Sequence, residues 1–193
     1  MPPMPDSDLS NLRRTGEEYF RLVEAGVLGP DDRVELLDGV IVGVSPQNPR
    51  HASALRRAQL ALEAVIGGRA VLSIQLPLLT GVYSVPEPDL AVLPGRASDY
   101  DRTHPTKALL VVEIAESSIA QDRLTKAAIY AAAEIPEYWI VNLRDDCVEV
   151  LQDPDGRARC YRQWRSVGRD GVIELVVFAD ASVNVGDLLP ARD

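Results

Sequence analysis

The chain has 193 residues, 46% hydrophobic and 25% charged, which suits one globular domain with a substantial core. Its net charge of −9 argues against a broad basic surface for nonspecific nucleic-acid binding, though not against a local basic cleft. Two cysteines, Cys147 and Cys160, are too few for a disulfide framework, and two histidines, His51 and His104, disfavour zinc. No apolar run reaches the ~18 residues of a membrane span. The start lacks the basic and apolar regions of a signal peptide, so the expected location is cytoplasmic.

In chain order, residues 1–14 read as a loose arm rich in Pro and polar residues. A single domain is expected over 15–193. Thr15 and Glu18 fit a capping box, predicting a short helix with Tyr19, Leu22 and Val23 at helical spacing and Gly26 as its stop. Asp38-Gly39 between two apolar runs predicts a hairpin. After a Pro46 to Pro49 loop, the pattern from His51 to Ile66 is helical, with Leu55, Ala58, Leu62 and Val65 on one face. Residues 71–79 read as one long or bent strand. Pro86-Glu87-Pro88 then leads into a strand that begins around Asp89.

A charged loop over 95–106 follows, and then the most informative stretch of the chain. Leu109-Leu110-Val111-Val112-Glu113-Ile114-Ala115 is a continuous apolar run, suited to a strand covered on both faces, with a carboxylate inside it. Such a carboxylate must be paired, protonated or metal-bound, because an isolated buried charge costs several kcal/mol or more. Ser118 to Gln121 reads as a second capping box, opening a helix to about Ala133 that Pro136 stops. Strands are expected at 137–142 and 148–151, then a turn at 153–156. Antiparallel sheet is expected through Cys160, Arg162 and Trp164, and again from Ile173 to Phe178.

Side chains alternate along a strand, so Glu113 and Ala115 face one side and Ile114 and Glu116 the other. If Asp89 lies on a neighbouring strand, two carboxylates approach each other, and one must protonate or a cation must bridge them. Mg²⁺ keeps several waters, so Asp89, Glu113 and one backbone carbonyl, assigned to Ile114, suffice to hold Mg²⁺ or Mn²⁺. Such an ion activates water against a phosphodiester, and a nearby lysine can stabilise the developing charge or help deprotonate the water. Asp122, Lys126 and Tyr130 follow at four-residue spacing and share one helix face.

The ordered pieces resemble the Uma-two restriction endonuclease family, formerly a domain of unknown function, within the PD-(D/E)XK nuclease superfamily. They are Val34-Glu35-Leu36-Leu37-Asp38-Gly39, Ser45-Pro46 with His51, Pro88-Asp89-Leu90-Ala91-Val92, Leu110-Val111-Val112-Glu113-Ile114, then Asp122, Lys126 and Tyr130, and finally Pro136-Glu137-Tyr138-Trp139-Ile140-Val141. The resemblance spans roughly 15–190. It implies an α/β (α+β) fold: a restriction-endonuclease-like mixed sheet flanked by helices, with extra antiparallel strands at the C-terminus. It also implies divalent-metal binding and endonuclease chemistry, with DNA as the expected partner. Asp89 and Glu113 match the two acids, and Glu35 matches an additional one. Ala115 stands where the superfamily usually has lysine, which points to a lysine displaced onto the following helix, here Lys126. Glu116 stands where serine is more usual, and alternation turns it away from the site.

Bland readings stand beside these. Glu113 can be paired with an arginine, Lys126 can be a solvated lysine paired with Asp122, and Asp89 can merely start a strand. Glu35 can be surface-paired, and His51 can serve as a helix-start residue. The alternative for the whole protein is a catalytically inactive binding or assembly module on the same fold. A homodimer is also expected, through the Trp139 strand or the C-terminal sheet. Tyr138 and Trp139 read as packing residues, and aromatics at 5% weaken any base-stacking role.

Overall fold

A computed structural model describes residues 13–29, 31–44 and 46–192; the expected N-terminal arm lies outside these up to residue 12. The architecture is mixed α and β. Helix α1 (Gly16–Glu24) opens with the expected capping box: Glu18 N–H donates to Thr15 Oγ1 at 3.2 Å and Thr15 N–H donates to Glu18 Oε2 at 2.7 Å. Strands β1 (Val34–Leu37) and β2 (Val40–Gly43) form the hairpin around Asp38-Gly39. Both turn residues have positive φ, and a Cβ on Gly39 would sit 2.7 Å from Arg13 Cβ, so that position requires glycine.

Helix α2 (Pro49–Ile66) starts two residues before its expected first residue. Asn48 caps it by accepting His51 N–H at 2.9 Å, and Pro49 takes the first turn, where its missing N–H costs nothing. Its buried stripe is Ala54, Ala58, Leu62 and Ile66, and Gly67 ends it in the left-handed region.

One six-stranded sheet runs in the order β3-β4-β5-β6-β7-β8. Its members are β3 (Val71–Ile74), β4 (Leu90–Leu93), β5 (Leu110–Ala115), β6 (Glu137–Asn142), β7 (Cys147–Asp155) and β8 (Cys160–Gly168). Every pairing is antiparallel except β5 with β6. That parallel pair needs a crossover, supplied by α3 (Ile119–Gln121), a π turn over Asp122–Lys126 and α4 (Ala127–Ala132). A small C-terminal pair, β9 (Val172–Glu174) and β10 (Ser182–Asn184), precedes α5 (Val185–Leu188).

The central strands β4, β5 and β6 are covered on both faces. Leu110, Val112 and Ile114 pack with the α2 stripe, Val183 and Leu188, while Val111 and Ala115 pack with Leu37, Ile129 and Tyr130. This two-sided cover is the physical reason that β5 reads as a continuous apolar run.

Several sequence expectations shift. The strand expected over 71–79 ends at Ile74, because Gln75 turns left-handed at φ 51°. The turn expected at 153–156 moves to 156–159, since β7 runs on through Asp155, whose carboxylate accepts Ala158 N–H at 2.9 Å and nucleates the turn there. Between Ile173 and Phe178 only the short β9 is strand. Ser118 forms no capping box; its backbone is helical and its hydroxyl donates to Asp122 Oδ2 at 2.7 Å. Trp139 is fully buried at the centre of the sheet, so its strand offers no surface to a second copy.

Candidate active site

The site lies where the antiparallel pairing of β4 with β5 stops. The ladder ends at Leu90 opposite Val112, so the next β5 residues lack a strand partner on that edge. Asp89 takes the vacated place: its Oδ2 accepts Ile114 N–H at 2.8 Å. A strand residue presents its N–H and C=O on the same edge, so the Ile114 carbonyl opens toward Asp89 as well. His51, one turn into α2, places Nε2 3.1 Å from Asp89 Oδ2, and Gln75 Nε2 donates to Oδ1 at 3.0 Å. Burial raises the Asp89 carboxyl, but the His51 contact and the Ile114 and Gln75 donors outweigh it and hold it below the usual range. Asp89 is therefore an ionised acceptor, which puts a proton on His51 Nε2 and leaves the buried Nδ1 without a partner among the described residues.

Glu113, on β5, is met from the crossover. Lys126 Nζ donates to its Oε1 at 2.9 Å, and the Tyr130 hydroxyl donates to the same oxygen at 2.7 Å. Among the described residues Glu113 Oε2 has no hydrogen-bond donor, and Glu113 lines the adjoining cavity. Burial pushes the Glu113 carboxyl above its ordinary range, against the pull of Lys126 and with the push of Asp122, Asp89 and Glu35.

Lys126 also lies 3.3 Å from Glu35 Oε1. Glu35 arrives on the hairpin, which docks through Leu36 and Val85, exchanging N–H to C=O bonds of 3.3 and 2.8 Å. Its second oxygen accepts Glu87 N–H at 3.2 Å. Burial opposes the charge of Lys126, yet Glu113, Glu35 and Asp122 outweigh it and hold the ammonium well above its ordinary range. Burial likewise raises Asp122 to about 6.

Asp122, Lys126 and Tyr130 were expected on one face of a regular helix. The helix instead widens between them: Ala127 N–H donates to the Asp122 carbonyl, five residues back. Lys126 and Tyr130 still converge on Glu113, while Asp122 binds Ser118. Arg123, on the outer side of this π turn, clamps Glu149 of β7 with Nε at 2.9 Å from Oε2.

A cavity of about 510 Å³ joins these groups, lined by every predicted site residue except Tyr130, which is buried behind Glu113. Glu116 was expected to face away and does not. It lies beyond the last residue of β5, where alternation no longer holds, and lines the cavity. Its carboxylate is bound by Asn48 and by Arg50 Nη1 at 2.9 Å. Gln75, Glu87 and Arg33 also line the cavity and carry no motif signal, apart from the register that sets Gln75 beside Asp89. The loop at 95–106 stays outside it.

Among the described residues, no group of three or more His, Cys, Asp or Glu side chains is placed to hold a metal ion. The carboxylates of Asp89 and Glu113 and the Ile114 carbonyl nevertheless offer only oxygen donors, the kind that Mg²⁺ prefers. The donor chemistry fits, with Asp89 ionised and Glu113 lining the cavity, its Oε2 without a donor among the described residues.

A mixed sheet with an acid at an interrupted strand edge, a second acid beside it and a lysine docked from the crossover thus defines the candidate site. A solved structure titled as a putative nuclease belonging to DUF820, from Anabaena variabilis, has the same fold: TM-score 0.71 at 16% identity, covering 90% of this chain and 96% of that one. A comparison with curated proteins returns no match. Residues 17–186 match the family model described as "Uma2: Putative restriction endonuclease", and the chain belongs to that family. No helix among the described residues is long and apolar enough to cross a membrane.

Proposed function

We propose that the protein is a divalent-metal-dependent endonuclease that hydrolyses phosphodiester bonds in DNA. The observation that carries this reading is the convergence of Lys126 on Glu113, in the cavity that Asp89 also lines. Asp89, Glu113 and the Ile114 carbonyl would hold Mg²⁺ or Mn²⁺. Bound there, the ion would polarise the phosphoryl group and lower the pKa of its water. Lys126 keeps its proton, so its role is to donate: it orients the attacking water and offers fixed positive charge to the phosphorane-like transition state. Glu35 and Tyr130 hold the ends of that arrangement in place.

The charge of the cavity supports the need for a cation. Its lining carries six acids, Glu35, Glu87, Asp89, Glu113, Glu116 and Asp122, against the permanent cations Arg33 and Lys126. A phosphate entering without a metal would meet net repulsion.

The second reading is a non-cleaving module on the same fold. One observation favours it: Lys126 is engaged by two carboxylates and Asp89 by three donors, so both groups find partners without a metal. Plasmid nicking separates the two. The nuclease reading expects cleavage with Mg²⁺, none with chelator, and a loss of about 100-fold or more in Asp89→Ala, Glu113→Gln and Lys126→Ala. Cleavage that survives all three substitutions removes this site assignment, and no cleavage by the wild type leaves the module reading.

A further inference from the structure

Gln75 is the one cavity-lining residue other than glycine with a positive φ among the described residues, at 51°. Left-handed backbone is costly for glutamine, of order 1 kcal/mol or more, and such strain persists only where the surroundings enforce it. The position is a strand end, where an extended residue would continue the ladder: by register, Gln75 follows Ile74 opposite Leu90 and so stands across from Asp89. Instead of continuing, the backbone turns, and Gln75 N–H is shared between the carbonyls of Pro88 at 3.1 Å and Asp89 at 3.3 Å. The side chain then delivers Nε2 to Asp89 Oδ1 at 3.0 Å.

That contact has no substitute. Asp89 Oδ2 is held by two donors, Ile114 N–H and His51, whereas Oδ1 has only Gln75 among the described residues. Without the amide, the carboxylate can rotate about the bond that Oδ2 anchors, and its remaining lone pairs lose their aim.

We infer that Gln75 is a positioning residue, held in a strained left-handed backbone so that its amide fixes the orientation of the Asp89 carboxylate for cation binding. This rests on the metal reading above. Partners that orient a ligating carboxylate contribute about 10- to 100-fold to metal affinity, so the strain is retained for the site and not for the fold.

Gln75→Gly separates the two contributions, because glycine adopts the same φ without strain and lacks the amide. The full chain is titrated with Mn²⁺ by calorimetry and melted without metal. Gln75→Gly is expected to melt near the wild-type temperature, because relief of the left-handed strain offsets the added freedom of the unfolded chain, while its Mn²⁺ affinity falls about 10- to 100-fold. Gln75→Asn, whose backbone tolerates this region but whose amide is one methylene short, is expected to bind as weakly. Wild-type affinity in Gln75→Gly overturns the inference, as does a fall in both melting temperature and affinity, which would make Gln75 a structural residue. Asp89→Ala is the control: a wild type that binds no Mn²⁺ overturns the metal reading itself, whereas binding lost in Asp89→Ala and kept in Gln75→Gly overturns only the role of Gln75.

Discussion

Lys126 and Glu113 meet at 2.9 Å, buried, although one lies on a central strand and the other on the crossover that leaves it. The pair is the junction between the sheet and the π turn, and Glu35 joins it from a separate hairpin. Removing the ammonium would leave two buried carboxylates facing each other. Lys126→Met is therefore expected to destabilise the fold by about 3 kcal/mol. Adding Glu113→Gln should recover part of that loss, because it removes one of the stranded charges. Urea denaturation of the single and double variants checks this, and a double variant no more stable than Lys126→Met would contradict it.

Tyr130 is fully buried and its hydroxyl supplies the second donor to Glu113 Oε1. Tyr130→Phe keeps the packing against Tyr138 and removes that donor. The expected loss is about 1 kcal/mol, read as a lower urea midpoint with unchanged slope.

Arg123 and Glu149 tie the π turn to β7. Glu149 is buried and also accepts from Asn142 and Trp164, and these bonds, led by Arg123, outweigh its burial and lower its carboxyl. Glu149→Gln should loosen the turn that carries Lys126. Amides over 119–127 are expected to exchange with deuterium faster than in the wild type, while those of β6 keep their protection. Unchanged exchange over 119–127 would show that the clamp does not hold the turn.

Asp146 gives a pH signature remote from the cavity. Its bond with Arg169, then its bond with Arg192, lowers its carboxyl from 3.8 to about 2. A carboxyl depressed in the folded state contributes stability above its unfolded value, and that contribution disappears as pH falls through the folded one. Asp146→Asn is expected to cost about 1 kcal/mol at neutral pH, after allowance for partial solvent screening. The gap between variant and wild type should close between pH 4 and about 2, as followed by urea melts across that range. A gap that stays constant would assign the effect to shape and not to charge.

Much of the fold is legible locally. Thr15 with Glu18 announces α1, Asp38-Gly39 announces the hairpin, and the unbroken apolar run of β5 announces a strand covered on both faces. Each signal acts within a few residues, through a cap, a turn or a burial pattern. The misplaced elements depend on distant partners. Ser118 was read as a cap by its spacing to Gln121, but the buried Asp122 draws its hydroxyl instead. Glu116 was turned outward by alternation, but β5 ends before it and Arg50 draws it to the cavity.

By itself, the sequence determined that Glu113 lies in a buried strand, that Asp89 precedes another, and that Lys126 follows on a helix. Periodicity and turn chemistry are short-range, so they reach that far. Only the tertiary structure decided that these groups meet, because their meeting depends on the interrupted β4 and β5 pairing, the docking of the Glu35 hairpin and the five-residue turn beneath Lys126. Those are long-range registers, chosen by the best burial of two apolar faces, and no local pattern encodes them. The left-handed turn at Gln75 belongs with them, since its N–H is held by the carbonyls of Pro88 and Asp89, just before β4.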